Sequence, residues 1–219
     1  PREATRFSLE TITSGKDCVS ITGNVLRDYL TDLFPILELG TSAKMLSVVK
    51  LMNGGGMFET GAGGSAPKHV EQLVEEGHLR WDSLGEFCAL GESLNFIAET
   101  SGNKKAGVLG KAVDKATQMV LENDKSPARR VGETDTRDSH FFFTLYWAEA
   151  LAAQTEDLEL ADHFMELATN LRKNESKIIS ELASVQGNPC DLGGYYHAVH
   201  KKVENVMRPS ETLNRIISN

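Results

Sequence analysis

Six glycines between Asn53 and Gly64 run directly into Ser65, Pro67, Lys68 and a helix-patterned segment, NGGGMFETGAGGSAPKHVEQLVEEGHLRW over residues 53–81. The stretch reads as a loop built to hold an anion. Glycine lets backbone N–H groups approach a phosphate without Cβ interference. The first turn of a following helix adds unpaired N–H donors and the positive end of its dipole. The implied ligand is a phosphorylated cofactor, although a glycine hairpin with no ligand has the same composition.

Ser65 is an N-cap candidate, Pro67 suits a first helical turn, and Val70, Leu73 and Val74 recur at helical spacing before Gly77 stops the helix. Lys68, His69 and Arg80 cluster around this element. A site choosing NAD usually sets a carboxylate on the ribose, whereas a cation there accommodates the 2′-phosphate of NADP. The basic residues favour NADP; taken singly, each also suits a solvated helix face.

The 219 residues are 40% hydrophobic, enough for a substantial core in one or two domains. A formal charge of −8, from 23 basic against 31 acidic residues, disfavours general binding to nucleic acid. No apolar run approaches the ~20 residues a membrane span needs, and no secretory signal opens the chain. Cys18, Cys88 and Cys190 form no CxxC pair and suggest reduced thiols in a cytoplasmic protein.

Asp17–Thr22 is β-prone, and Gly23 and Asn24 punctuate the start of a helix running to about Leu33. Met45–Met52 and Met57–Thr60 are further strand candidates. Beyond Ser65 the pattern is mostly helical. One helix carries Leu84, Phe87, Cys88, Leu94 and Ile97 and ends at Ser101–Asn103. A second covers Lys104–Glu122, a third Ser139–Gln154, and a fourth Asp157–Val185 before Gly187, Asn188 and Pro189. A Gly-Tyr loop and a short helix close the chain. The pattern argues for an α/β scaffold dominated by helices with a few strands.

Within the segment RDYLTD, Asp28 and Asp32 share one face of the expected helix, opposite Leu26, Leu30 and Leu33. Like charges at this spacing cost roughly 0.2–0.5 kcal/mol unless solvent or a cation offsets them. Carboxylate ligands suit Mg²⁺ or Mn²⁺. Spacing alone equally allows a solvated acidic face.

Long ordered blocks then carry a resemblance: TGNVLRDYLTDLFPILELGTSAKMLSVV, LMNGGGMFETGAGGSAPKHVEQ, GHLRWDSLGEF, GETDTRDSHFFFTLYWAEALAAQ, DLGGYY and MRPSETLN. They cover essentially the whole chain, which resembles the C-terminal part of the monomeric NADP-dependent isocitrate dehydrogenases. GSAPKH is also similar to an element of the dimeric isocitrate and isopropylmalate dehydrogenases that lies against the adenosine half of the cofactor.

The resemblance implies an isocitrate/isopropylmalate dehydrogenase-like α/β scaffold. Residues 1–39 would end the substrate and metal domain, and residues 40–219 would form the C-terminal share of the cofactor-binding domain. It implies oxidative decarboxylation of isocitrate to 2-oxoglutarate with NADP and Mg²⁺ or Mn²⁺. Arg27 would contact substrate, Asp28 and Asp32 would bind the metal, and Ser65, His69, Arg80, Asp82 and Arg129 would bind NADP. No catalytic residue is carried over, because the family's proton-transfer lysine and tyrosine lie upstream. Family members are much longer and the chain begins at Pro1, so it is expected to be a fragment, inactive alone, of a monomeric enzyme. The competing expectation is a nucleotide-binding or helical interaction module without catalysis.

Overall fold

The computed structural model describes residues 6, 10, 18–19, 25–26, 62–194 and 198–218, with side chains from residue 69 onward and at Arg6 and Glu10. Two compact units divide the chain, Pro1–Pro67 and Lys68–Asn219.

In the first unit, β1 (Cys18–Val19) pairs antiparallel with β2 (Val25–Leu26), setting Cys18 opposite Leu26 and Val19 opposite Val25. This corrects the expected helix start, since Val25 and Leu26 occupy a strand. Gly-Asn is as good a reversal signal as a helix start, and β-branched Val25 suits the pleat. Residues 27–33 and the strand candidates at 45–52 and 57–60 lie outside the described residues.

Helix α1 spans Ala62–Glu76. Ser65 therefore sits inside the helix and not at its N-cap. Pro67 is the sixth helical residue and lies past the first turn, so it removes the bond that Gly63 O would have received, and a proline ring at such a position crowds that carbonyl. The C-terminal end is as expected: Gly77 adopts φ 60° and donates its N–H to Leu73 O at 2.9 Å.

Helices α2 (Leu84–Ser101) and α3 (Lys104–Glu122) are joined through Gly102, whose φ of 69° is left-handed, and Asn103, which caps α3 by accepting from Ala106 N. Helix α4 (Thr136–Ala153) starts three residues before the expected Ser139, behind a reciprocal capping box between Asp135 and Asp138. The fourth expected helix is two, α5 (Leu158–Lys173) and α6 (Glu175–Ala183), interrupted at Asn174. Two short helices follow, α7 (His200–Met207) and α8 (Glu211–Ile217).

Helix α4 is the centre of the second unit. Successive helical residues turn by about 100°, so Phe141, Phe142 and Phe143 project over more than half its circumference, and all three are buried. Such a helix needs neighbours on several sides. α3 packs on one flank and α5 on another, and α2 reaches the core through Phe87, stacked on Phe143 at 4.0 Å. Leu145, Leu171, Ile178 and Leu182 belong to the same cluster. α8 is fastened to α6 by Glu181, which accepts hydrogen bonds from Ser210 Oγ and from Thr212 N and Oγ1. No helix among the described residues is long and apolar enough to cross a membrane.

Candidate cofactor site

The extended segment between α1 and α2 carries Arg80 and Asp82, and α4 holds it in place. Thr136 N donates to Leu79 O at 2.8 Å, and the Thr136 hydroxyl lies 2.6 Å from Trp81 O and 2.9 Å from Leu79 O. With Leu79 O already served by an N–H, the single hydroxyl proton goes to Trp81. The indole then donates to Glu86 Oε1 at 2.9 Å and meets the His69 ring edge-on, with centroids 5.4 Å apart.

His69, on the last two turns of α1, is thereby set beside Arg80. Burial holds the His69 pKa below its ordinary value, and the Arg80 charge lowers it further. The imidazole is neutral at physiological pH. Two buried nitrogens of this pair, His69 Nδ1 and Arg80 Nε, have no hydrogen-bond partner among the described residues. Orphaned buried polar atoms are costly and rare, and here both belong to groups suited to an anion.

Arg129 comes from the loop between α3 and α4. Gln72, one turn after His69 on α1, donates to Arg129 O at 3.0 Å and draws that loop against the helix. Arg129 itself is exposed. Asp82 is also exposed, and its Oδ1 accepts from Leu84 N at 3.0 Å at the start of α2, where Ser83 provides no side-chain cap. One carboxylate oxygen is thus engaged in helix capping.

Beneath this surface lies a buried polar cluster. His78 is fully buried, its Nδ1 2.9 Å from Gln186 Oε1 and its Nε2 2.8 Å from Ala128 O. Arg137 pairs with Asp135 and donates to Gly77 O and Val206 O, joining α4 to the end of α1 and to α7. Asp138 accepts from Asp135 N at 2.8 Å, while its Oδ1 is buried without a partner. Burial pushes its carboxyl up to about 6 against that hydrogen bond.

Of the residues singled out in sequence, His69, Arg80, Asp82 and Arg129 gather around the end of α1. Ser65 lies in α1 with its side chain outside the described residues, as do Arg27, Asp28 and Asp32 entirely. Sequence reasoning did not single out Gln72, His78, Thr136 or Gln186, the residues that hold the site together. Only Thr136 had a signal: Asp135 followed three residues later by Asp138 marks a capping box, which places Thr136 at the first turn of α4.

Residues 1–218 match the family model described as monomeric isocitrate dehydrogenase. The chain belongs to that family. Among curated members, it is 62% identical over 218 residues to the NADP isocitrate dehydrogenase of Azotobacter vinelandii, covering 100% of this chain and 29% of the relative. It is 60% identical over 218 residues to NADP isocitrate dehydrogenase 2 of Colwellia maris, covering 100% of this chain and 29% of that relative. The corresponding enzyme 2 of Mycobacterium tuberculosis is 61% identical over 209 residues, covering 95% of this chain and 28% of the relative. This monomeric isocitrate dehydrogenase family member thus spans under a third of the length of those relatives. Membership supports the expected dehydrogenase scaffold, of which the described part beyond residue 62 is helical.

Proposed function

We propose that the chain is the C-terminal share of an NADP-dependent isocitrate dehydrogenase, and that its second unit binds the adenosine-phosphate end of NADP. The observation that carries this reading is the His69–Arg80 pair, with an orphaned buried nitrogen on each residue. A 2′-phosphate would satisfy both. Its negative charge would also raise the His69 pKa, allowing the ring to take up a proton and donate from both nitrogens.

On this reading Ser65, on α1, contributes to cofactor binding, His69 and Arg80 recognise the phosphate end, Asp82 accepts a hydrogen bond with its second oxygen, and Arg129 adds a cation. NADP, when bound, accepts the hydride. This chain's residues bind and orient the cofactor and set its charge preference. Asp28 and Asp32 supply carboxylate oxygens, the donor set that suits Mg²⁺ or Mn²⁺, and Arg27 contacts an isocitrate carboxylate. The proposed scaffold is the α/β isocitrate/isopropylmalate dehydrogenase type, with residues 1–39 in the substrate and metal domain and 40–219 in the cofactor domain. The remaining substrate contacts and proton-transfer groups would come from the part of the relatives' length that these residues do not span. The enzyme would act as a cytoplasmic monomer.

Isocitrate turnover by the full-length enzyme carrying this sequence tests the reading. Equal amounts of NADPH and 2-oxoglutarate are expected, with a dependence on Mn²⁺ that shifts to higher Mn²⁺ concentration as isocitrate binding weakens in Asp28→Asn and Asp32→Asn. Unchanged metal titrations in those variants would remove both residues from the metal site.

A further inference from the structure

We propose that His78 is a positioning residue for the phosphate end of the cofactor site, carrying a proton on both ring nitrogens and fixing Arg80 relative to Arg129; this rests on the NADP reading above. Ala128 O, opposite Nε2, can only accept. The Gln186 amide, opposite Nδ1, is oriented from its other side: its Oε1 receives Gly132 N–H at 2.8 Å and its Nε2 donates to Glu133 O at 3.2 Å. Turning the amide over would set two donors against each other at Gly132. Oε1 therefore faces the ring, and both ring nitrogens must donate.

A charge in so buried a place needs compensation. Asp138 is the carboxylate of this cluster that can supply it: burial raises its pKa to about 6, and the neighbouring positive charges, Arg137 and then His78, act to lower it. The other charged groups of this cluster, Asp135 and Arg137, neutralise each other in their own pair. The ring joins two pieces of backbone that bear the phosphate-recognising cations. His78 precedes Arg80 by two residues on the braced segment Leu79–Trp81. Ala128 directly precedes Arg129 in a loop closed by Ala128 N donating to Thr134 O at 2.8 Å. The Gln72 bond to Arg129 O is exposed and open to replacement by water, whereas the His78 ring is fully buried.

Two measurements on the full-length enzyme carrying this sequence test this. Long-range ¹H–¹⁵N spectra at about pH 7 should show both His78 ring nitrogens protonated, and one unprotonated nitrogen would overturn the assignment. Calorimetry with 2′,5′-ADP and with 5′-AMP then reads the 2′-phosphate preference in wild type, Arg80→Leu, His78→Gln and Gln186→Ala. The last variant cuts the same link from the less buried side, should His78→Gln fail to fold. The preference should fall by about tenfold or more in the link variants as well as in Arg80→Leu, with 5′-AMP affinity little changed. A fall in Arg80→Leu alone, with the link variants merely melting earlier, would overturn the positioning role and leave the cofactor reading standing. A full-length wild-type enzyme with no preference, or one unaffected by Arg80→Leu, would overturn both.

Discussion

Gly77 ends α1 against Val185 so closely that a β-carbon on it would lie 2.5 Å from the Val185 carbonyl oxygen, and 2.6 Å from that of Asn188. The loop after α6 uses this approach to serve carbonyls that the end of α1 leaves free: Gly187 N donates to Glu76 O at 2.7 Å, and Cys190 N to Val74 O at 2.9 Å. The next residue is His78, so this contact also sets where the cofactor segment begins.

Gly77→Ala should therefore cost about 3 kcal/mol, from ~1–2 for the left-handed backbone and a further ~1–3 for overpacking. Gly102→Ala is the matched comparison. Gly102 is also left-handed, at φ 69°, but an added β-carbon meets nothing within 4 Å, so only the backbone share applies. Urea unfolding of both variants checks this, and equal losses would mean that the Val185 approach is not rigid.

Asp138 should make stability fall as pH rises. Its pKa is raised from 3.8 to about 6 in the folded state. Between those values the native state binds more protons than the unfolded one, so raising the pH weakens folding. The contribution is fully present below pH 3.8 and is lost as pH passes through about 6, a change of about 3 kcal/mol at 1.36 kcal/mol per unit. Asp138→Asn keeps an acceptor for Asp135 N–H and lacks the titration. The stability difference, wild type minus variant, should fall by that amount across this range, and a flat difference would contradict the burial of this carboxyl.

His69 should couple NADP binding to proton uptake. Its pKa is lowered by burial and by Arg80, so the free site holds a neutral ring at pH 7.5, and a bound 2′-phosphate would draw a proton on. Calorimetry of the full-length enzyme in buffers of different ionisation enthalpy should show uptake with NADP and none with NAD, with the uptake removed in His69→Asn. Identical proton counts for wild type and variant would exclude His69 from the phosphate contact.

The sequence was most legible where a local signal and its physical cause coincide. The Lys104–Glu122 helix appears with the expected bounds because Asn103 is both a loop residue and a cap. Leu171, Ile178 and Leu182 correctly marked a buried face, but periodicity reports which side is buried and not whether the helix is continuous. The break at Asn174 was invisible for that reason. The Gly23-Asn24 pair was ambiguous because one dipeptide serves both a helix start and a strand reversal. Within the candidate site, His69 and Arg80 were legible by charge and motif. His78 was not, because its role depends on Gln186 and Ala128, 108 and 50 residues away in sequence.

On the proposed reading, His69 and Arg80 recognise the one group that distinguishes NADP from NAD. Steady-state kcat/KM for both cofactors, measured at one salt concentration on folded His69→Asn and Arg80→Leu full-length enzymes, decides whether they do. A melting curve must accompany each variant, since Arg80→Leu also removes the packing of the guanidinium stem. Losing one charge-assisted hydrogen bond, worth about 1.5–3 kcal/mol, should lower kcat/KM for NADP roughly 10- to 150-fold and leave that for NAD nearly unchanged. Equal losses for the two cofactors would show that neither residue recognises the 2′-phosphate.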